Sequence, residues 1–245
     1  MTAMRTALFA GLLVAIAGPA SAQDAETGTR LAPPKARNLG SVALTPKDQA
    51  VGAKRMAECV FNRKTALSRQ ALLAPTADAA KAALDRLRGE VTCFGADPSN
   101  DLVGARVAQI PPDIMRGMIA EAALGRTRDE AAALQPLPLQ QIYTRNWFAV
   151  TGRHVSVDEM GACVADTNPA GVLALSRTEP MSAEENTAFG ALMDNFGKCL
   201  RAGVKLQASR QALRAALAEA LYQRLNAPTP APTAATAPAV EAAKN

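Results

Sequence analysis

Apolar side chains recur every three or four residues through most of the chain, and Pro, Ser or Thr stands where each run begins. Met56, Cys59, Val60 and Leu67 set the spacing of a first helix. It is expected from Thr45-Pro46, a cap and first-turn pair, to about Leu73. Ala74-Pro75-Thr76 ends that run and caps a second helix on Ala80, Leu84, Leu87 and Val91, finishing near Cys93. Pro111-Pro112 opens a third, with Ile114, Met115, Met118 and Ile119 on its apolar side. Further on, Ser156-Val-Asp-Glu159 and Ser182-Ala-Glu-Glu185 both have the S-x-x-E form, which places a hydroxyl and a carboxylate on the free N–H groups of a helix start. Phe189, Leu192, Met193, Phe196, Cys199 and Leu200 form the stripe behind the second box. Ser209 can cap a last helix on Leu213, Leu217, Leu221 and Leu225. The expected fold is all-α.

The same landmarks occur twice. Met160-Gly-Ala-Cys163-Val164, a Pro-Ser cap, Cys199-Leu200 and Leu213-Arg-Ala-Ala-Leu-Ala-Glu-Ala-Leu-Tyr222 follow one another in the second half. Met56-Ala-Glu-Cys59-Val60, a Pro-Thr cap, Cys93-Phe94 and Met115-Arg-Gly-Met-Ile-Ala-Glu-Ala-Ala-Leu124 do so in the first. A shared order of landmarks points to a duplicated unit of about three helices. Residues 45–134 would be the first unit, and 135–225 a linker segment with the second. Leu134-Gln-Pro-Leu-Pro138 marks the junction. The apolar segment after it, Tyr143–Val150 with the only Trp, is expected to wedge between the units.

Outside the units the composition changes. Arg5, the apolar run Ala7–Ala17 and Ala20-Ser21-Ala22 read as a signal peptide over residues 1–22, cleaved before Gln23. That run is far short of the roughly 20 residues a membrane span needs. Residues 23–44 are polar and Pro-interrupted, a flexible leader; residues 226–245 are Ala, Pro and Thr, a tail expected to be disordered. The reading is a periplasmic or secreted protein that does not span the membrane once the signal is removed. The full chain carries +5, and Arg5 is the one charge in the signal, leaving +4. The basic residues are scattered among acids, without the stripe that nucleic acid requires.

Four cysteines suit an oxidising compartment and allow three pairings. With one pair in each unit, the duplication selects Cys59–Cys93 and Cys163–Cys199. No cysteine spacing suggests zinc, and no cofactor is expected. One polar pattern is kept in both units: Arg116 with Glu121, and Arg214 with Glu219. Five residues along a helix turn the two side chains about 140° apart, so each is expected to reach a different neighbouring helix as a structural ion pair or carbonyl contact. His154 is the only histidine, which excludes two-histidine metal sites, and no nucleophile signature accompanies it.

The layout M-x-x-C-V, Pro-Ser/Thr at a cap, a second Cys, then L/M-R-x-x-x-A-E-A-x-L/Y resembles a group of uncharacterised exported helical proteins of Gram-negative bacteria, over about Thr45 to Leu225. The resemblance brings no activity with it. A non-enzymatic binding or structural module is the leading expectation, its partner an envelope protein or an apolar ligand. A carboxylate-dependent cell-envelope hydrolase is the alternative. The apolar faces of the helices could seal against each other or leave a shallow groove.

Overall fold

A computed structural model describes residues 45–93 and 110–226, apart from 202, 205 and 207. The signal, the leader, the turn-rich stretch at 95–101 and the tail beyond 226 lie outside the described residues. Within them the chain has nine α-helices and no strand. In order these are α1 Pro46–Arg63, α2 Thr65–Leu72, α3 Ala77–Arg88, α4 Pro112–Arg126, α5 Arg128–Ala132, α6 Val155–Thr167, α7 Pro169–Ser176, α8 Ala183–Cys199 and α9 Arg210–Asn226. Two single 3₁₀ turns, Val91–Cys93 and Asn146–Val150, complete the description.

The first helix is shorter than its apolar spacing predicts. Lys64, at φ −130° and ψ 45°, leaves helical geometry and separates α1 from α2. Asn168 does the same between α6 and α7, where its side chain accepts from the Gly171 N–H and Pro169 takes the first turn. Thr45 forms a full capping box with Asp48, and Thr76 accepts from the Ala79 N–H. At α6 the expected Ser156–Glu159 box does not form. His154 is the cap, two residues earlier, its Nδ1 accepting from the Ser156 N–H, which leaves Ser156 inside the helix. At α8 half the expected box is present: Ser182 accepts from the Glu185 N–H, but the Glu185 carboxylate turns to the Met181 N–H.

Helix starts recur at similar offsets across the chain. Thr65 and Pro169 lie 104 residues apart, Ala77 and Ala183 106, and Pro112 and Arg210 98. Each half carries one disulfide, Cys59–Cys93 closing 34 residues and Cys163–Cys199 closing 36. Each crosslink removes about 4 kcal/mol of chain entropy from the unfolded state in the loop-closure account. In a chain with 4% aromatics, where burial per residue is small, that is a large contribution.

One buried cluster runs through both halves, with Met56, Val60, Leu84 and Leu87 at one end and Val164, Leu175, Leu192 and Leu221 at the other. Its centre is α4 laid against α9. Met115 and Leu217 are both buried there, so these faces seal against each other rather than forming an open groove. The halves are therefore joined chiefly by α4 and α9, and the Trp147 segment is a secondary tie. Tyr143 and Phe148 pack over the Cys163–Cys199 bridge, while Val150 and Trp147 lie against Ala74, Ala79 and Ala80 of the first half.

Candidate functional site

Helices α4 and α9 approach closely because their crossing point has almost no side chain. A Cβ built on Gly117 would fall 2.3 Å from the Ala215 Cα. Gly117 and Ala215 occupy the position after Arg116 and Arg214, so the approach brings both arginines to the facing helix. Each arginine meets the other helix's glutamate. Arg116 donates through Nε at 3.0 Å and Nη2 at 2.5 Å to Glu219 Oε1. Arg214 donates through Nε at 2.8 Å to Glu121 Oε2 and through Nη2 at 2.6 Å to Glu121 Oε1. All four residues are buried, Glu219 completely.

Both guanidinium groups also reach helix ends. Arg116 donates to the carbonyls of Ala71 and Leu72, the last turn of α2. Arg214 reaches the Ser176 carbonyl, which ends α7, and the Thr178 carbonyl beyond it. Such carbonyls have no partner within their own helix, and a buried cation satisfies them while gaining charge-assisted bonds.

Each glutamate then takes a second cation. Lys54 of α1 lies 2.5 Å from Glu121 and 3.3 Å from Glu58. Position 158, 104 residues further on, is Asp158. It holds Arg153 at 2.7 Å, and Arg153 in turn bonds Glu219 at 2.8 Å. Glu185 of α8 adds a second carboxylate to Arg214 at 2.8 Å. Two groups result: Arg116, Arg153, Glu219 and Asp158, and Arg214, Lys54, Glu121 and Glu185, the second extended by Glu58 on Lys54 and by Arg210, 3.1 Å from Glu185.

Burial and charge compete at these positions. Burial pushes the Glu219 carboxyl up, but Arg153 and Arg116 outweigh it and hold the group below its ordinary value. Burial depresses the Arg153 guanidinium, and Glu219 with Asp158 more than restores it. At Asp158 burial wins over the pull of Arg153 and leaves the carboxyl raised. Asp166 of α6 is raised for the same reason, against Arg145 and Arg224. A carboxylate held by two arginines in a water-excluded core is fixed in its charge state and has no route to a substrate.

The four cysteines are joined as the two local bridges. Arg116, Glu121, Arg214 and Glu219 converge at one interface, with partners exchanged between halves. Lys54, Arg153, Asp158 and Glu185 belong to the same network and are not distinguished in the sequence. Asp158 and Glu185 stand in apparent capping boxes, a local role that hides the distant one. The usable signal is that Lys54 and Asp158 lie 104 residues apart, the offset of the cysteines. His154 is exposed, its Nδ1 2.7 Å from Ser156 Oγ, and serves its own helix start. Among the described residues no group of three or more His, Cys, Asp or Glu could hold a metal ion, and no helix is long and apolar enough to cross a membrane.

The chain matches no protein-family model, no curated protein and no solved structure.

Proposed function

We propose that the protein is an exported, non-enzymatic helical module of the cell envelope, periplasmic or secreted, built from two copies of one disulfide-stapled unit. The leader pattern Arg5, Ala7–Ala17 and Ala20-Ser-Ala22 supports export, as do two disulfides that need an oxidising compartment. Similar offsets of the helix starts, 98 to 106 residues, and arginines that exchange glutamates between the halves support the duplication.

The observation that carries the non-enzymatic reading is the fate of the acids. A hydrolase needs a carboxyl that can trade a proton with a substrate in a cleft. Glu219, Glu185 and Asp158 are instead buried and bound to arginine, and Glu121 to both arginine and lysine. A partner is then met on the surface. Leu137, Leu139 and Ile142 are exposed on an extended strip, held to α6 by the Leu137 N–H on the Asp166 carbonyl at 2.7 Å. This strip is the place for an envelope protein to dock.

The test combines two measurements. Intact mass of protein recovered from the cell envelope should begin at Gln23. A photo-crosslinker at position 142 should give a discrete adduct that one at the exposed Met193 does not. A mature chain retaining residues 1–22, or equal labelling at both positions, would overturn the reading.

A further inference from the structure

The two halves differ at one corner. Arg126 of α4 and Arg224 of α9 lie 98 residues apart, and their partners Asn62 of α1 and Asp166 of α6 lie 104 apart. Arg224 pairs with the Asp166 carboxylate at 3.6 Å and also donates to the Ala165, Asp166 and Gln135 carbonyls. Beside it, Gln223 plugs the space by donating to the Leu72 carbonyl at 2.7 Å.

At the matching place in the first half the plug is absent. Gly125 stands where Gln223 would, and a Cβ there would meet nothing within 4 Å. What remains is a cavity of about 320 Å³ between α1, α4 and α7, floored by Lys54 and Glu121 and walled by Asn62, Arg126, Arg128 and Arg177. That volume lies at the small end of ligand clefts, which run from roughly 300 to 1,000 Å³.

Its charge is unbalanced. Lys54 is neutralised by Glu121 and Glu58. Arg126 is fixed through Nε at 3.1 Å and Nη2 at 2.6 Å, but to the neutral Asn62 amide oxygen, where Arg224 has a carboxylate. The side chains of Arg128 and Arg177 make no hydrogen bond or ion pair among the described residues. Arg126, Arg128 and Arg177 thus line one cleft whose two carboxylates, Glu58 and Glu121, are both engaged by Lys54. Like charges so placed repel, and a planar oxyanion accepting from their forks would relieve the repulsion.

We propose that this cleft binds a small solute bearing a carboxylate or phosphate, held by Arg126, Arg128 and Arg177. The proposal stands apart from the docking strip and from the export reading. The purified oxidised protein would be titrated with inorganic phosphate and, separately, with succinate, against chloride of equal ionic strength, following the arginine Nε–H signals by NMR. Saturable binding of either anion is expected, and the anion preferred assigns the solute's acidic group. Arg128→Ala with Arg177→Ala should weaken that binding at least about tenfold, the equivalent of one charge-assisted bond. Gly125→Gln should abolish it by supplying the missing plug, and Arg86→Ala, exposed on α3, should change nothing. All variants alter exposed positions, and thermal melts would verify that they fold. No response beyond the chloride control, or binding undiminished in Gly125→Gln, would overturn the proposal.

Discussion

Gly117→Ala should loosen the protein more than any other single-methyl addition on α4. The new Cβ would lie 2.3 Å from both the Cα and Cβ of Ala215 and 2.4 Å from its carbonyl oxygen. Carbon atoms rest at about 3.5 to 4.0 Å, so α4 and α9 must part by about 1 Å or more. Overpacking of this kind costs about 1 to 3 kcal/mol. The same movement lengthens the Arg116–Glu219 and Arg214–Glu121 bonds, now 2.5 to 3.0 Å, toward the limit at which hydrogen bonding fails. Against these losses, alanine gains about 1 kcal/mol over glycine in a helix. The overpacking then nets a loss of up to about 2 kcal/mol, to which the lengthened ion pairs add, read as a lower urea midpoint by circular dichroism with both disulfides intact. Gly125→Ala on the same helix is the control. With open space at that position it should keep the propensity gain and raise the midpoint. If Gly117→Ala matches or exceeds the parent with an unchanged denaturant slope, the close approach is not what sets the interface.

Arg214→Met should cost about 3 to 5 kcal/mol, because it takes the guanidinium from two carboxylates, Glu121 and Glu185, which keep only Lys54 and Arg210; Arg116→Met should fall at the lower end, since it takes a partner from one carboxylate and Arg153 still holds Glu219. Chemical denaturation of the pair would order them. Replacing Cys163 and Cys199 together by Ala should lower stability by about 4 kcal/mol, measured against the parent in non-reducing buffer. The pH response should split by residue. Glu219 is held below its ordinary 4.5, so its contribution is complete above that value and is lost as acid titrates the folded carboxyl beneath it. Asp166, raised above 3.8 by burial, takes its proton more readily when folded and opposes that loss. Urea midpoints between pH 3 and 6, each set relative to the same protein at pH 6, should therefore fall less steeply in Glu219→Gln and more steeply in Asp166→Asn.

The helices and bridges were readable because they rest on local spacing and on a pattern written twice. The breaks at Lys64 and Asn168 were harder to see. One residue leaving helical geometry barely disturbs apolar periodicity, so α1 and α2 read as a single run. The cap at α6 falls on His154 because its ring nitrogen offers an acceptor two residues ahead of the serine. Arg116, Glu121, Arg214 and Glu219 stood out by recurrence, and helix geometry turned each arginine away from its own glutamate. Which glutamate each would meet depends on how closely two distant helices approach, and that is set by Gly117 against Ala215. Lys54, Arg153 and Asp158 look in sequence like ordinary solvated charges, and only packing buries Arg153 and Asp158 and brings Lys54 to Glu121.

The exchange of partners between α4 and α9 also sets a schedule. Arg116 waits for Glu219, 103 residues downstream on the last described helix. A chain made at roughly 5 to 20 residues per second exposes the first charges for about 5 to 20 s before their counterparts exist. During that interval Arg116 and Glu121 must stay in water and α4 cannot close. Completion of α9 then neutralises both sites at once. The fold is finished at its carboxyl end, in one late step, so a protein truncated before Arg210 should remain open and be cleared by proteases rather than persist as half a molecule.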